Sequence, residues 1–319
     1  YGQTGNQGLS SYQSLPQLVP DNYPFEDAVS IGYQNAIIEN PNLRWEHTDQ
    51  YNAGLDIGLF NGRLLFTGEY YVKTTKDLLQ IVSLAPSTGY QTQVQNLGSL
   101  ENKGIDLELH AKILTGRFKW DASAIWFKNN IKVLDLGDME EYPGAWTLSW
   151  DWRPFPIKVG RPLGEIYGYK VERVMKTQED VDRAANDLAT KRIGEFDYVK
   201  DEEGNMKLFR LGSTNPRFSF GFNSQFAYDA FELSFHFAGS IGQNILNMQD
   251  RLIIYGDGSQ TTRDYYKRFW VPEIKDAAGN VVIPDNGGDL HMIAAPWGRT
   301  SLSNIKGPSD FIIQDGSYV

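Results

Sequence analysis

The chain has 319 residues, with 30 basic and 40 acidic side chains, and its formal net charge of −10 argues against a nucleic-acid binder, which would carry a basic stripe. Aromatic residues make up 13% of it, too many for a disordered chain, and it has no cysteine, which excludes disulfides, thiolate metal sites and a cysteine nucleophile. No run approaches the roughly 18 consecutive apolar residues of a spanning helix and no export signal is visible, so a membrane role has to be carried by strands.

In chain order, a Gly-, Pro-, Asn- and Asp-rich connection over about 5–42 precedes the first hairpin, about 44–75. There Tyr51, Ala53, Leu55, Ile57 and Leu59 alternate with Asn52, Gly54, Asp56 and Gly58. Asn61-Gly62 tolerates positive φ in a tight turn, and Leu64, Phe66, Gly68, Tyr70 and Val72 return against Thr67, Glu69, Tyr71 and Lys73. After a connection over about 76–103, the hairpin 104–131 sets Ile105, Leu107, Leu109, Ala111 and Ile113 against Asp106, Glu108, His110 and Lys112. It turns at Thr115-Gly116 and returns with Phe118, Trp120, Ala122, Ala124 and Trp126 against Lys119, Asp121 and Ser123. A connection over about 132–215 contains one short helix, expected at 178–193. The hairpin 216–243 repeats the pattern with Phe218, Phe220, Phe222 and Phe226, a turn near Asp229, and Phe231, Leu233, Phe235 and Phe237 against Glu232, Ser234 and His236. A last connection covers about 244–310.

Alternating strands describe a soluble β-sandwich, whose apolar faces form a core, and equally an outer-membrane barrel, whose apolar faces meet lipid. Short turns at one end, long loops at the other and charged polar faces favour the barrel, with Trp45, Tyr70, Trp126 and Phe237 expected in interfacial girdles. Six strands leave two open edges in hydrocarbon, so in that reading the chain is a piece of a larger barrel.

Catalytic and cofactor motifs are missing from the sequence: there is no G-x-S-x-G elbow, phosphate loop, H-E-x-x-H or dinucleotide fingerprint, and the chain reads as a non-enzyme with no cofactor. His47, His110, His236 and His291 are scattered and no metal is assigned to them. Asp201-Glu202-Glu203-Gly204-Asn205 reads as a solvated acidic turn rather than a calcium loop, and the adjacent Glu140 and Glu141 read as pointing apart. The loop 142–156 gathers Tyr142, Trp146, Trp150 and Trp152 without strand alternation, which suits stacking on sugar faces, a protein interface or a local hydrophobic clamp.

Several segments, in order, resemble the SusC-like TonB-dependent outer-membrane transporters. Tyr1-Gly2-Gln3-Thr4-Gly5-Asn6-Gln7 is similar to that family's S-Y-G-Q-T-G-N-Q stretch, and Asn40-Pro41-Asn42-Leu43-Arg44-Trp45-Glu46 with Gln50-Tyr51-Asn52-Ala53-Gly54-Leu55-Asp56 to its N-P-x-L-x-W-E and Q-x-N-x-G-L-D signatures. Tyr70-Tyr71-Val72-Lys73-Thr74-Thr75-Lys76-Asp77-Leu78-Leu79, Asn96-Leu97-Gly98 with Asn102-Lys103-Gly104, Asn215-Pro216-Arg217-Phe218 and Asp315-Gly316-Ser317-Tyr318 continue the match. The resemblance implies an all-β fold: an antiparallel transmembrane β-barrel fragment of about six strands with long extracellular loops, part of a barrel of about 22 strands. It further implies a plug and a TonB-contacting segment outside this chain, a SusD-like lipoprotein lid as partner, and active import across the outer membrane. On that reading Asp56, Glu69, Asp106, Glu108, His110, Lys112, Asp121, Glu232 and His236 face the lumen. Tyr142, Trp146, Trp150 and Trp152, with Tyr167 and Tyr169, are the expected substrate or lid contacts, and the aromatic loop favours an oligosaccharide over a peptide. Where relatives carry a D-x-N-G-D-G-like turn this sequence has residues 201–205, which puts a calcium site there in doubt.

Overall fold

The computed structural model describes residues 1–6, 8, 15, 17–25, 28–90, 92–144, 153–188, 191–249, 263–290 and 310–319. They fall into two units: the first holds 1–142, 157–163 and 218–239, the second 143–156, 164–217 and 240–319.

The first unit is built on a seven-stranded antiparallel sheet. Its strands, in spatial and chain order, are β1 (Gly2–Asn6), β2 (Glu46–Leu59), β3 (Leu64–Lys76), β4 (Ser99–Thr115), β5 (Phe118–Asp135), β6 (Phe218–Tyr228) and β7 (Phe231–Ile241). Six of these are the strands of the expected hairpins. The seventh, β1, pairs Gly2 with Gln50 through to Asn6 with Glu46; it belongs to none of the expected hairpins and runs into the start of the connection expected over about 5–42. Its sequence, Gly-Gln-Thr-Gly-Asn, has no apolar residue to alternate, so it carries no periodic signal.

The hairpin turns follow the local chemistry. Asn61 and Gly62 have φ of 56° and 78°, and the Arg63 N–H donates to the Phe60 carbonyl at 3.3 Å, closing the turn where Asn-Gly was expected. The second turn is centred on Gly116-Arg117 and the third on Asp229-Ala230. Between Lys112 and Leu114 the ladder carries a bulge, and the Arg63 guanidinium donates to the carbonyls of Lys112 (3.1 Å) and Ile113 (2.6 Å) there. The bulge takes Ile113 out of the alternation and puts Leu114 opposite Trp120 instead.

The residues that carry the family resemblance hold the upper ends of these strands together. The Asn96 side chain accepts from the Arg44 N–H (2.7 Å) and donates to the carbonyls of Arg44 and Asp77, both at 2.8 Å. The Glu46 carboxylate accepts from the Leu79 N–H and from the Asn6 amide, each at 2.9 Å. At Gly104 a Cβ would lie 2.5 Å from the Tyr71 hydroxyl and 2.7 Å from the Lys128 carbonyl, so only glycine fits beneath the Tyr71 ring. Two shorter ribbons extend the connections, Gln17–Phe25 with Ala28–Ile37 and Leu79–Ser83 with Thr92–Asn96.

The second unit is organised like a water-soluble domain. Met175, Val181, Ala185, Leu188, Phe196, Tyr198, Trp270, Leu290 and Ile312 form its buried core. Ribbons Glu165–Tyr169 with Leu208–Ser213 and Val171–Val174 with Phe196–Tyr198 pack around it. The expected helix at 178–193 is only α1 (Gln178–Asp182), started by a capping box between Thr177 and Asp180. It stops early because the chain finds other partners: the Asn186 N–H donates to the Gly204 carbonyl, and the Asp187 carboxylate accepts from the Met206 N–H. A second short helix, α2, covers Arg263–Arg268.

The turn 201–205 is structural. The Asp201 carboxylate accepts from the Glu203 and Asn205 N–H groups at 3.0 and 2.9 Å, and Gly204 has φ 83°. The same D-x-x-G-N turn recurs at 276–280, where Asp276 accepts from Ala278 and Asn280 and Gly279 has φ 88°. Those hydrogen bonds hold the Asp276 carboxyl below the usual carboxylate range, the Asn280 side chain being the leading cause.

Candidate functional site

The ladder registers define two opposite faces of the sheet. On one, Leu55, Gly68, Leu107, Trp126 and Phe220 form a row across five strands, followed by Ile57, Phe66, Leu109, Ala124 and Phe222. Ring contacts between Phe222 and Phe237 (6.5 Å) and between Phe226 and Phe235 (6.3 Å) carry this face onto β7. These side chains are not buried: Leu55 is 58% exposed, Phe237 51% and Leu109 41%. A contiguous apolar face of this kind in water would be an aggregation site, whereas in hydrocarbon it is the stable arrangement. Near its turn end the Trp120 indole N–H is satisfied internally, donating to the Ser224 hydroxyl at 2.9 Å.

The aromatic girdle differs from the expected one. Of the four residues expected there, Trp45 lies next to a strand end, while Tyr70, Trp126 and Phe237 lie well inside β3, β5 and β7, because the strands run beyond the limits read from alternation. Rings gather instead at the turn end, where Trp120 stacks on Phe226 at 5.4 Å and Phe118 lies 6.0 Å from Phe226. Arg117 and Asp229 link two neighbouring turns by a bidentate pair at 2.5–3.1 Å, with the guanidinium 5.2 Å from the Tyr228 ring. This contact holds the Asp229 carboxyl below its ordinary range.

The opposite face collects the polar residues. Asp56, Thr67 and Glu108 share one row, Gly54, Glu69 and Asp106 the next, and Lys112 stands opposite Asp121. His110 pairs with Ser123, and Ser123 with Asn223. On β7, Glu232 and His236 alternate with the phenylalanines that share the apolar face. All nine residues expected to face a lumen therefore lie on one side of the sheet. Apolar residues not expected on that side also lie there: Leu65 opposite His110, Ile125 in the row of Glu108 and Phe127 in that of Asp106. Ala124-Ile125-Trp126-Phe127 is an unbroken apolar run, so alternation gives no face for its members.

The expected aromatic contacts are less unified. Trp146, Trp150 and Trp152 lie outside the described residues. Tyr142 belongs to the first unit, is exposed, and pairs with Ile157. Tyr167 and Tyr169 belong to the second unit. The Tyr167 hydroxyl donates to Glu165 (3.1 Å), whose buried carboxylate also accepts from Arg210 at 2.6 Å. Tyr169 packs edge-on to Tyr198 at 6.1 Å, and burial with the nearby Asp187 pushes its phenol pKa up. Both tyrosines thus have structural work in the unit's own packing.

His47 lies 3.1 Å from Asp77, and His291 is outside the described residues. Among the described residues no group of three His, Asp or Glu is placed to hold a metal ion. No helix among them is long and apolar enough to cross a membrane, a statement that does not bear on strands.

Comparison with known proteins agrees with this two-faced sheet. The family profile described as "TonB dependent receptor-like, beta-barrel" matches residues 4–271. The chain is 29% identical to TonB-dependent receptor P26 of Formosa agariphila, over 100% of this chain and 31% of that protein. It is 40% identical to TonB-dependent receptor SusC of Bacteroides thetaiotaomicron over 152 residues, 44% of this chain and 15% of that protein. The RagAB peptide importer in its open-open state has a similar fold, with TM-score 0.70 and 19% identity over 99% of this chain and 31% of that one. The chain spans about a third of the length of P26. The extended apolar face, the polar face behind it and the profile match agree: the chain belongs to the TonB-dependent receptor-like β-barrel family and is part of a SusC-like barrel of the outer membrane.

Proposed function

We propose that the protein to which this chain belongs imports a nutrient oligomer across the outer membrane by TonB-coupled transport, with a SusD-like surface lipoprotein as its lid. The observation that carries this reading is the division of the sheet into an exposed apolar face and a charged one. In a barrel wall the first meets lipid and the second, with Asp56, Glu69, Asp106, Glu108, His110, Lys112, Asp121, Glu232 and His236, lines the lumen. The likeness to SusC supports the partner and the energy coupling.

An oligosaccharide is the substrate favoured by the aromatic loop, with Trp146, Trp150, Trp152 and Tyr142 offering ring faces to sugars. A peptide is the second reading, favoured by the acidic and apolar patch around Glu69 and Phe127 on the lumen face. The deciding experiment deletes the gene and, separately, the host's TonB function, and measures uptake of labelled oligosaccharides and oligopeptides. Loss of uptake of one class in both strains is the expected result. Uptake that persists without TonB contradicts energy coupling and leaves a passive channel.

A further inference from the structure

The apolar face of the sheet does not stay apolar along its whole length. Towards the loop end it turns cationic: Lys128 closes the row of Ala53, Tyr70 and Ile105, Asn130 stands opposite Lys103 in the next row, and Lys132 opposite Glu101 in the one after. Counting from Thr115 without the bulged Ile113, Ile105 is about nine ladder steps from the turn, or roughly 22 Å at about 2.5 Å per step, close to the rim of an apolar band about 25 Å tall. The row of Lys132 is about four steps further, at roughly 32 Å, so the three rows cross the headgroup layer, which is about 5–8 Å deep. Tyr51 and Tyr70, 61% and 48% exposed, stand at this rim as interfacial rings. In outer-membrane barrels the long loops face outwards, so the rim belongs to the outer leaflet.

These residues lie on β4 and β5, inside the sheet, on the face opposite the lumen. A plug occupies the lumen, and further strands lengthen the wall beyond its edges at β1 and β7 without overlying its outer side. The carboxylates nearby are already engaged. Glu101 pairs with Lys103 at 3.1 Å, and Asp49 with Lys76 at 3.1 Å while accepting from the Tyr1 hydroxyl and the Gln3 amide. Among the described residues Lys128 and Lys132 have no ion-pair partner. Four residues apart on one strand, they share a face with about 13 Å between their backbones, and the exposed Asn130 stands between them. A lysine at the edge of hydrocarbon lays its stem along apolar surface and raises its ammonium into the headgroup layer. Two such ammonium groups flanking an amide donor are complementary to phosphate oxygens at that depth.

We propose that Lys128, Asn130 and Lys132, with Lys103 beside them, form a docking site on the outer surface of the barrel wall for the phosphorylated headgroup of an outer-leaflet lipid. The proposal rests on the reading above that the apolar face meets lipid. It concerns the membrane around the transporter and is independent of which oligomer is carried.

The test reads lipid composition locally. The full-length protein carries a fluorophore at Ile105→Cys, in the row of Lys128, and is reconstituted in phosphatidylcholine vesicles containing either brominated phosphatidic acid or brominated phosphatidylcholine as quencher. Phosphatidic acid is expected to be enriched around the label by about fivefold, the factor for one lysine at a charged membrane surface, and the preference shrinks as salt rises from 0.1 M to 1 M, where the screening length falls from about 10 Å to about 3 Å. In Lys128→Gln, Lys132→Gln the preference disappears while quenching by brominated phosphatidylcholine is unchanged, which also shows that the variant is inserted. Lys128→Arg, Lys132→Arg keeps it, and so does Lys73→Gln, Lys112→Gln, which removes the same charge from the opposite face. Equal quenching by the two lipids in the unsubstituted protein overturns the proposal, as does a preference that survives the loss of both lysines. Quenching by neither lipid overturns the lipid-facing assignment beneath it as well.

Discussion

Replacing Leu109 by arginine is expected to damage the protein far more than replacing its chain neighbour His110 by arginine. Leu109 lies in the apolar row between Phe66 and Ala124, and His110 in the polar row between Leu65 and Ser123. A barrel strand tilted by about 40° climbs roughly 2.5 Å per residue along the membrane normal. Counting back from Thr115 and leaving out the bulged Ile113, Leu109 is about five ladder steps from the turn, or about 12 Å, which is half of an apolar band about 25 Å tall. At that depth an arginine on the lipid face costs about 2–4 kcal/mol, while on the lumen face it stays hydrated and replaces a residue that is already polar. Urea unfolding of the full-length protein in phospholipid vesicles, with heat-modifiability on gels as a second readout, measures the difference. Equal losses for the two variants, or a larger loss for His110→Arg, would refute the assignment of faces.

Three further outcomes follow from local geometry. Gly104→Ala puts a methyl against the Tyr71 hydroxyl and the Lys128 carbonyl, and is expected to cost about 1–3 kcal/mol in the same unfolding assay; Tyr71→Phe in addition restores only part, because the backbone carbonyl remains. Asn96→Ala removes the bridge between Arg44 and Asp77 and leaves their carbonyls and an N–H without this partner, a loss of about 1–3 kcal/mol. The Asp229 carboxyl is held below its unfolded range by Arg117, so its contribution to stability is present above pH about 4 and is lost as pH falls through the folded value. Comparing unfolding against pH for the parent and Asp229→Asn isolates it, and curves that stay parallel down to the acid limit contradict the pairing.

Much of the sheet was legible because a strand buried or lipid-facing on one side must repeat every second residue. Tyr51 to Leu59 and Phe231 to Phe237 show that period without interruption, and both are strands. The signal failed where the period is absent or broken. Gly2–Asn6 has no apolar side to show, and the bulge at Ile113 shifts the phase within a strand that otherwise alternates. The unbroken run Ala124–Phe127 hid that Ile125 and Phe127 lie on the polar face, as the adjacent Leu64-Leu65-Phe66 hid Leu65. The second unit was hardly legible, because its ribbons join segments far apart in the chain, as where Glu165–Tyr169 pairs with Leu208–Ser213. The family motifs had a physical content that spacing alone does not show: Asn96 and Glu46 tie loops to strands, and Gly104 makes room for the Tyr71 ring. Tyr167 and Tyr169 were visible as aromatic residues, but their hydroxyl partner and packing partner depend on pairing that brings Glu165, Arg210 and Tyr198 beside them.

The central claim, that one face of the sheet meets lipid and the other water, is tested most directly by spin labels placed one at a time along 105–112. The chain contains no cysteine, so it adds no background site for the label. In vesicles, labels at 105, 107, 109 and 111 should be relaxed strongly by oxygen and weakly by a water-soluble nickel complex, and labels at 106, 108, 110 and 112 should show the reverse. A two-residue period with those assignments is the predicted result. Labels at 105, 107, 109 and 111 shielded from both reagents would mean that the apolar face is covered by protein, as in a sandwich core, and would contradict the barrel wall.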